Sequence, residues 1–154
     1  MKRKIIFLDI DGVLINNESL RRRKSGMAQA DRFCVEALNH ILTETGALIV
    51  VSSTWRAHRY NGLSRIFESW KIDRPIFSLT PDLTRKHGVI YEGVQRGDEI
   101  QKWLDEHQDL TESFVILDDD TDMKHLLHRL VRTRSDIGLT TQDAHRAIAL
   151  LNQY

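Results

Sequence analysis

Short apolar runs alternate along this chain with segments whose apolar residues recur at helical spacing. The runs Ile5–Leu8 (IIFL), Ala47–Val51 (ALIVV), Pro75–Leu79 (PIFSL), Phe114–Leu117 (FVIL) and the weaker Arg129–Thr133 (RLVRT) have the length and composition of buried strands. Helices are expected between them. Asp31 stands where it can cap a helix carrying Val35, Leu38, Ile41 and Leu42, with Gly46 just past its end. A second helix is expected to begin near Asp98, where D-E-I-Q offers a capping box with Gln101, and to turn Ile100, Trp103 and Leu104 inward. Met123, Leu126, Leu127 and Leu130 mark a third, and Ala144, Ile148 and Leu151 a last. Apolar strands joined through helices predict an α/β protein: a three-layer α/β/α sandwich around a mostly parallel, Rossmann-like sheet. Ligands of such sheets bind beyond the carboxyl ends of the strands.

Composition narrows the class. A chain of 154 residues, 41% hydrophobic and 29% charged, suits one globular domain over residues 1–154 and excludes a disordered tail. Cys34 has no second cysteine to pair with, and within RFCVEALNHIL it reads as a small buried hydrophobe, which argues against a structural zinc site. The apolar run near the N-terminus stops at Asp9, and no stretch approaches the ~20 apolar residues of a membrane span. The expectation is a soluble, cytoplasmic protein with no membrane partner. Zero net charge excludes a simple polycation, yet residues 1–60 hold 10 basic and 6 acidic side chains against 12 and 16 in residues 61–154. Neutrality is therefore the sum of two unlike halves.

The strand ends carry the chemistry. IIFL runs into Asp9-Ile10-Asp11-Gly12, so two carboxylates leave a buried strand two residues apart. FVIL runs into Asp118-Asp119-Asp120, with Asp122 beyond, and parallel strands bring this cluster to the same sheet edge. Packed carboxylates need a cation or raised pKa values, and an all-oxygen site suits magnesium better than zinc. ALIVV ends in Ser52-Ser53-Thr54, hydroxyls suited to phosphate oxygens, although Thr54 is also placed to cap the segment that follows. Asp120 or Asp122 is placed to cap the helix of Met123 and Leu126, and His125 and His128 have no metal-ligand spacing with a cysteine.

Together, DIDGVL, VVSSTWR and VILDDD resemble the first, second and fourth motifs of haloacid-dehalogenase (HAD)-type phosphatases, in order and at strand ends over nearly the whole chain. More narrowly, FLDIDGVL, VVSSTWR, RGDEIQKWL, VILDDDTDM and GLT resemble the HAD-like domain of Swiss army knife RNA repair proteins. The resemblance implies a Mg2+-dependent phosphatase in which Asp9 attacks phosphorus to form an aspartyl-phosphate. It makes Asp11 the general acid and then base, and a metal ligand through its backbone carbonyl. Asp9 and one or both of Asp118 and Asp119 complete the metal set. Ser52 is taken as the second-motif hydroxyl, with Ser53 as alternative and substrate contact. Arg96, ahead of Gly97-Asp98-Glu99, is taken as the third-motif cation; Lys86 and Arg56 compete for that role, and Arg56 is also a substrate-binding candidate.

Small-molecule members of the superfamily usually carry an inserted cap domain, for which this chain has no room. Between Asp9 and Ser52 the spacing leaves only a flap, about residues 14–30, ahead of the Asp31 helix. An open site favours a macromolecular end, such as a nucleic-acid terminal phosphate, over a free metabolite. The flap holds Arg21, Arg22, Arg23 and Lys24, which read either as solvated surface or as a run that draws a polyanion toward Asp9. Trp55 and Tyr60 stand near enough in sequence to stack a base. Phosphorylated substrate is the expected partner, with a kinase or ligase working alongside. Rival readings are a nucleotidase closed by oligomerisation, a metal-dependent nuclease and a non-catalytic phosphate-binding module.

Overall fold

The computed structural model describes residues 1–23, 28–86 (Lys86 by its backbone alone) and 88–153. Lys24 of the basic run and the Lys86 side chain thus lie outside the described residues. The chain runs β1 (Arg3–Leu8), α1 (Asn17–Arg21), α2 (Arg32–Thr45), β2 (Leu48–Val51), a 3-10 turn (Thr54–His58), α3 (Arg59–Ser69) and β3 (Ile76–Leu79). It continues through β4 (Arg85–Lys86), β5 (Val89–Ile90), α4 (Arg96–Glu106), β6 (Thr111–Asp118), a second 3-10 turn (Lys124–Arg129), β7 (Leu130–Arg132) and α5 (Thr141–Leu151).

The main sheet has the order β3-β2-β1-β6-β7 with every pairing parallel. Successive strands β1, β2 and β3 step one way while β6 and β7 lie on the other side, so the order switches at the carboxyl ends of β1 and β6. A crevice forms there because the connections on either side diverge. Alternation in β1 sends Ile6 and Leu8 into a core with α2, α3 and α5, and Ile5 and Phe7 into a second with α4 and the Lys124–Arg129 turn. Both layers close over the central strand. Phe7 meets Trp103 edge-on at 5.3 Å, and the Trp103 indole N–H donates to Ser78 Oγ at 2.9 Å, fixing α4 across the sheet. As the pattern implied, the Asp31 carboxylate accepts from the amides of Phe33 and Cys34, Gly46 ends α2 at φ 66°, and Cys34 is buried.

Several boundaries differ from expectation. Helix α4 starts at Arg96, two residues early, because Gln95 is the cap and its amide donates to Asp98 Oδ2 at 2.9 Å; Gln101 reaches Asp105 instead. The third helix is a 3-10 turn, since Lys124 takes φ 53° and the short passage from β6 to parallel β7 leaves no space for α-helical turns. Leu126 is buried there, whereas Leu127 is exposed and Leu130 belongs to the strand. The flap begins later than residue 14: Leu14 and Ile15 are core residues, and Asn16 caps α1 through the amide of Ser19. Among the described residues there is no cap domain, only the β4–β5 hairpin between β3 and α4. No helix there is long and apolar enough to cross a membrane.

Candidate active site

Parallel pairing of Leu8 with Leu117 carries the next residues, Asp9 and Asp118, to the switch point side by side, and the Asp9 amide donates to Leu117 O at 3.0 Å. Oxygens of Asp9, Asp118 and Asp119 all lie within 4.8 Å of one another. Both acids left open by the sequence therefore belong to the cluster. The chain turns over it at Gly12, whose φ of 78° and close approach demand glycine: a Cβ there would collide with the Asp119 carboxylate. Thr133, just past β7, donates its hydroxyl to Gly12 O at 2.6 Å and holds the turn down.

Such an arrangement is costly without a cation. Burial, and then the charge of Asp9, push the Asp118 carboxyl up to about 9. Burial also raises Asp9, to about 6, against the opposing pull of the Arg96 charge, the Ile10 amide and the Ser53 hydroxyl. Three oxygen donors gathered this tightly fit a hard divalent cation, whose charge would reverse both shifts. Because the folded pKa values exceed the unfolded value of 3.8, the cation-free fold holds protons that the unfolded chain has released. Its stability should therefore fall as pH rises from about 4 through 6 toward 9. Mg2+ is expected to raise Tm by about 5–10 °C at pH 8 and by little at pH 5, where it must displace those protons. Thermal melts with Mg2+ and with EDTA at the two pH values check this; an equal gain at both would contradict it.

Asp11 stands apart from the cluster. Its exposed carboxylate accepts from Trp55 Nε1 at 3.0 Å. The indole is wedged between the His58 and Trp70 rings at 5.4 and 5.6 Å, so this hydrogen bond has a firm base. The two carboxyls of D-x-D thus occupy unlike surroundings.

At the end of β2, the Ser52 amide continues the ladder to Leu8 O, and the Ser52 hydroxyl is buried with no hydrogen-bond partner. It is Ser53 whose hydroxyl lies against the Asp9 carboxyl and accepts from the Trp55 amide at 3.2 Å. Both second-motif alternatives thus stand at the end of β2, Ser53 against Asp9 and Ser52 with its hydroxyl buried and unpartnered: the chain leaves the sheet after Val51, so strand alternation does not say which hydroxyl faces Asp9. The cap expected of Thr54 belongs to Ser53.

Arg96 opens α4 with its amide toward Asp122 Oδ2 at 3.3 Å, and Gly97 donates to Asp122 O at 3.0 Å. A Cβ at Gly97 would strike the Met123 carbonyl, so glycine lets the helix start press against the loop after β6. The Arg96 charge reaches both Asp9 and Asp118, and its Nη1 is buried without a partner. Arg56 has a different task from the expected substrate contact. Its Nη1 donates to Thr80 Oγ1 at 3.0 Å and Pro81 O at 2.9 Å, and pairs with Glu99 Oε1 at 3.2 Å. Glu99 in turn accepts from the Leu83 amide at 2.9 Å, locking the loop after β3 to α4. This buried strut was not foreseen; its only sequence signal was an acid directly before Ile100 on an inward helix face.

The flap cations are not brought to the cluster by any described contact. Arg21 and Arg22 are exposed and both pair with Glu18, and Arg23 is exposed. Helix α1 is anchored elsewhere, the Asn17 amide to Asp136 O at 3.2 Å and Asn16 Nδ2 to Ile137 O at 2.8 Å. Tyr60 is exposed, and Trp55 serves Asp11.

A family model described as "HAD domain in Swiss Army Knife RNA repair proteins" matches residues 5–144, a span that contains every residue of the cluster and its surroundings. No curated protein sequence matches the chain.

Proposed function

The chain belongs to the family of HAD domains of Swiss Army Knife RNA repair proteins, and from that premise we propose that it is a Mg2+-dependent phosphomonoesterase acting on nucleic-acid phosphate ends. One observation carries the phosphatase reading. Two carboxyls two residues apart are held separately, Asp9 in the buried cluster before the unpartnered Arg96 nitrogen and Asp11 outside it on Trp55. A nuclease that only gathers carboxylates around metal has no use for the second arrangement. The substrate class rests on the family description and on the open site, since no cap covers it among the described residues.

Mg2+ held by Asp9, Asp118, Asp119 and the Asp11 carbonyl would offset the charge of the phosphate and its repulsion from Asp9. An Asp9 oxygen attacks phosphorus in line as the bond to the leaving oxygen breaks, and Asp11 gives that oxygen its proton. Arg96 Nη1 and the Ser53 hydroxyl donate to the phosphoryl oxygens throughout. Water then attacks the phosphorus of the aspartyl-phosphate, Asp11 recovers a proton from it, and inorganic phosphate leaves as the Asp9 carboxylate is restored.

Asp11→Asn tests the sequence of steps. With 4-nitrophenyl phosphate, whose leaving group needs no proton, the variant should still transfer a phosphoryl group to Asp9 but fail to hydrolyse it. The expected result is a burst of one equivalent of nitrophenol, turnover reduced about 10²–10⁴-fold, and a chain heavier by one phosphoryl group in intact mass. Unchanged turnover would remove Asp11 from the mechanism.

A further inference from the structure

Beyond Arg96, away from the carboxylates, two adjoining hollows lie along the loop 80–95. The inner one, about 480 Å3, is lined by Thr54, Arg56, Asp82, Arg85, Arg96 and Glu99 among others. The outer one, about 610 Å3, shares Asp82 and Arg85 with it and adds Tyr91. Both volumes suit a nucleotide-sized group. Arg96 belongs at once to the inner hollow and to the electrostatic field of Asp9, so the groove begins where the phosphate would react.

The charges along this groove are mixed: with Arg85 and Arg96 it holds Asp82, the exposed Glu92 beside Tyr91, and Lys102, which pairs with Glu106 at 3.1 Å. Glu99 is neutralised by Arg56, Asp82 is turned onto the Thr84 amide at 3.0 Å and its hydroxyl, and Asp122 accepts from the Arg96 amide. Arg85 is exposed on β4, felt by Asp82 but joined to no acid by an ion pair among the described residues. Outward from it the hairpin presents Val89, Ile90 and Tyr91, 52%, 70% and 47% exposed, side chains with no part in the core. Arg85 shares the inner hollow with Arg96, and exposed Tyr91 lines the adjoining one; cations beside aromatic faces are how proteins hold a single-stranded nucleic acid by its backbone and bases.

We infer that residues 80–85 and 88–95, between β3 and α4, form the docking track for a single nucleic-acid strand: terminal phosphate at Arg96, next phosphodiester on Arg85, adjoining base against Tyr91. This deepens the phosphatase reading and rests on it. It also moves strand recognition from the basic flap, whose helix α1 is anchored at Asn16 and Asn17 to the 136–137 segment, to the loop between β3 and α4.

The test compares wild type, Arg85→Ala, Tyr91→Ala and a flap variant with Arg21, Arg22 and Arg23 all changed to Ala. Substrates are a phosphorylated single-stranded pentanucleotide, the mononucleotide and 4-nitrophenyl phosphate. The ratio of kcat/KM for the pentanucleotide over the aryl phosphate should fall at least tenfold in each track variant, through KM, and stay near wild type in the flap variant. Arg85→Ala should also flatten the salt dependence on the pentanucleotide by about 0.7 in log–log slope. Ratios unchanged in the track variants, a loss carried by the flap variant, or a wild type that prefers the mononucleotide to the pentanucleotide would overturn the track. Should the wild type release no phosphate from any substrate, the phosphatase reading fails by itself. Fluorescence anisotropy of the labelled pentanucleotide then reads the track alone, and equal binding by wild type and Arg85→Ala would dismiss it.

Discussion

Asp9→Asn is expected to reduce Mg2+-dependent phosphate release by at least about 10³-fold on aryl phosphate and oligonucleotide alike. The amide keeps the shape of the carboxyl but cannot form the covalent intermediate, and it withdraws one of three carboxylates from the cation. The fold should survive. Ionised Asp9 is a burden on the cation-free protein because burial disfavours its charge, so the variant should melt no lower than wild type in EDTA at pH 8. A dead enzyme with an intact or raised Tm separates loss of chemistry from loss of structure. Full phosphate release by the variant would show that another group is the nucleophile, and retained phosphodiester cleavage would favour a nuclease.

Glu99→Ala should be strongly destabilising, costing about 3–5 kcal/mol. Both partners of its ion pair are nearly removed from solvent, at 12% side-chain exposure for Arg56 and 4% for Glu99. Deleting the acid leaves the guanidinium without a counter-charge and the Leu83 amide without its acceptor. For a chain of this size the expected fall in Tm is on the order of 10 °C. Urea midpoints measure the cost, and replacing the pair together by Met and Leu should recover most of it, since the penalty lies in the orphaned charge. A loss below about 1 kcal/mol for Glu99→Ala would mean that the strut carries little load. The same variant should also weaken the pentanucleotide preference, because this strut fixes the inner wall of the groove.

The chemistry of the strand ends was legible in the residues because it depends on sequence-local facts. Apolar runs end in acids, and an acid placed directly after a buried parallel strand must emerge at the same edge as its neighbours. Ser53 was less legible, since the pleat that makes alternation readable stops where β2 ends. Met123 to Leu130 were misread for a related reason: apolar spacing of three and four fits a 3-10 turn followed by a strand as well as a helix, and only the distance to β7 decides. Arg56 gave no warning, because a cation next to a second-motif hydroxyl looks the same whether it faces substrate or a buried acid 43 positions away.

The sequence by itself determined the layered parallel sheet and the acidic edge, properties of short segments whose period and composition are self-contained, and its motifs carried the resemblance to the family. Only the tertiary structure decided that Asp118 and Asp119 both join Asp9, that Asp11 hangs on Trp55, that Arg56 is a strut, and that the start of α1 is tied to Asp136 and Ile137. Each of those depends on which distant side chain fills the space opposite, a choice made when the layers close and recorded in no single segment.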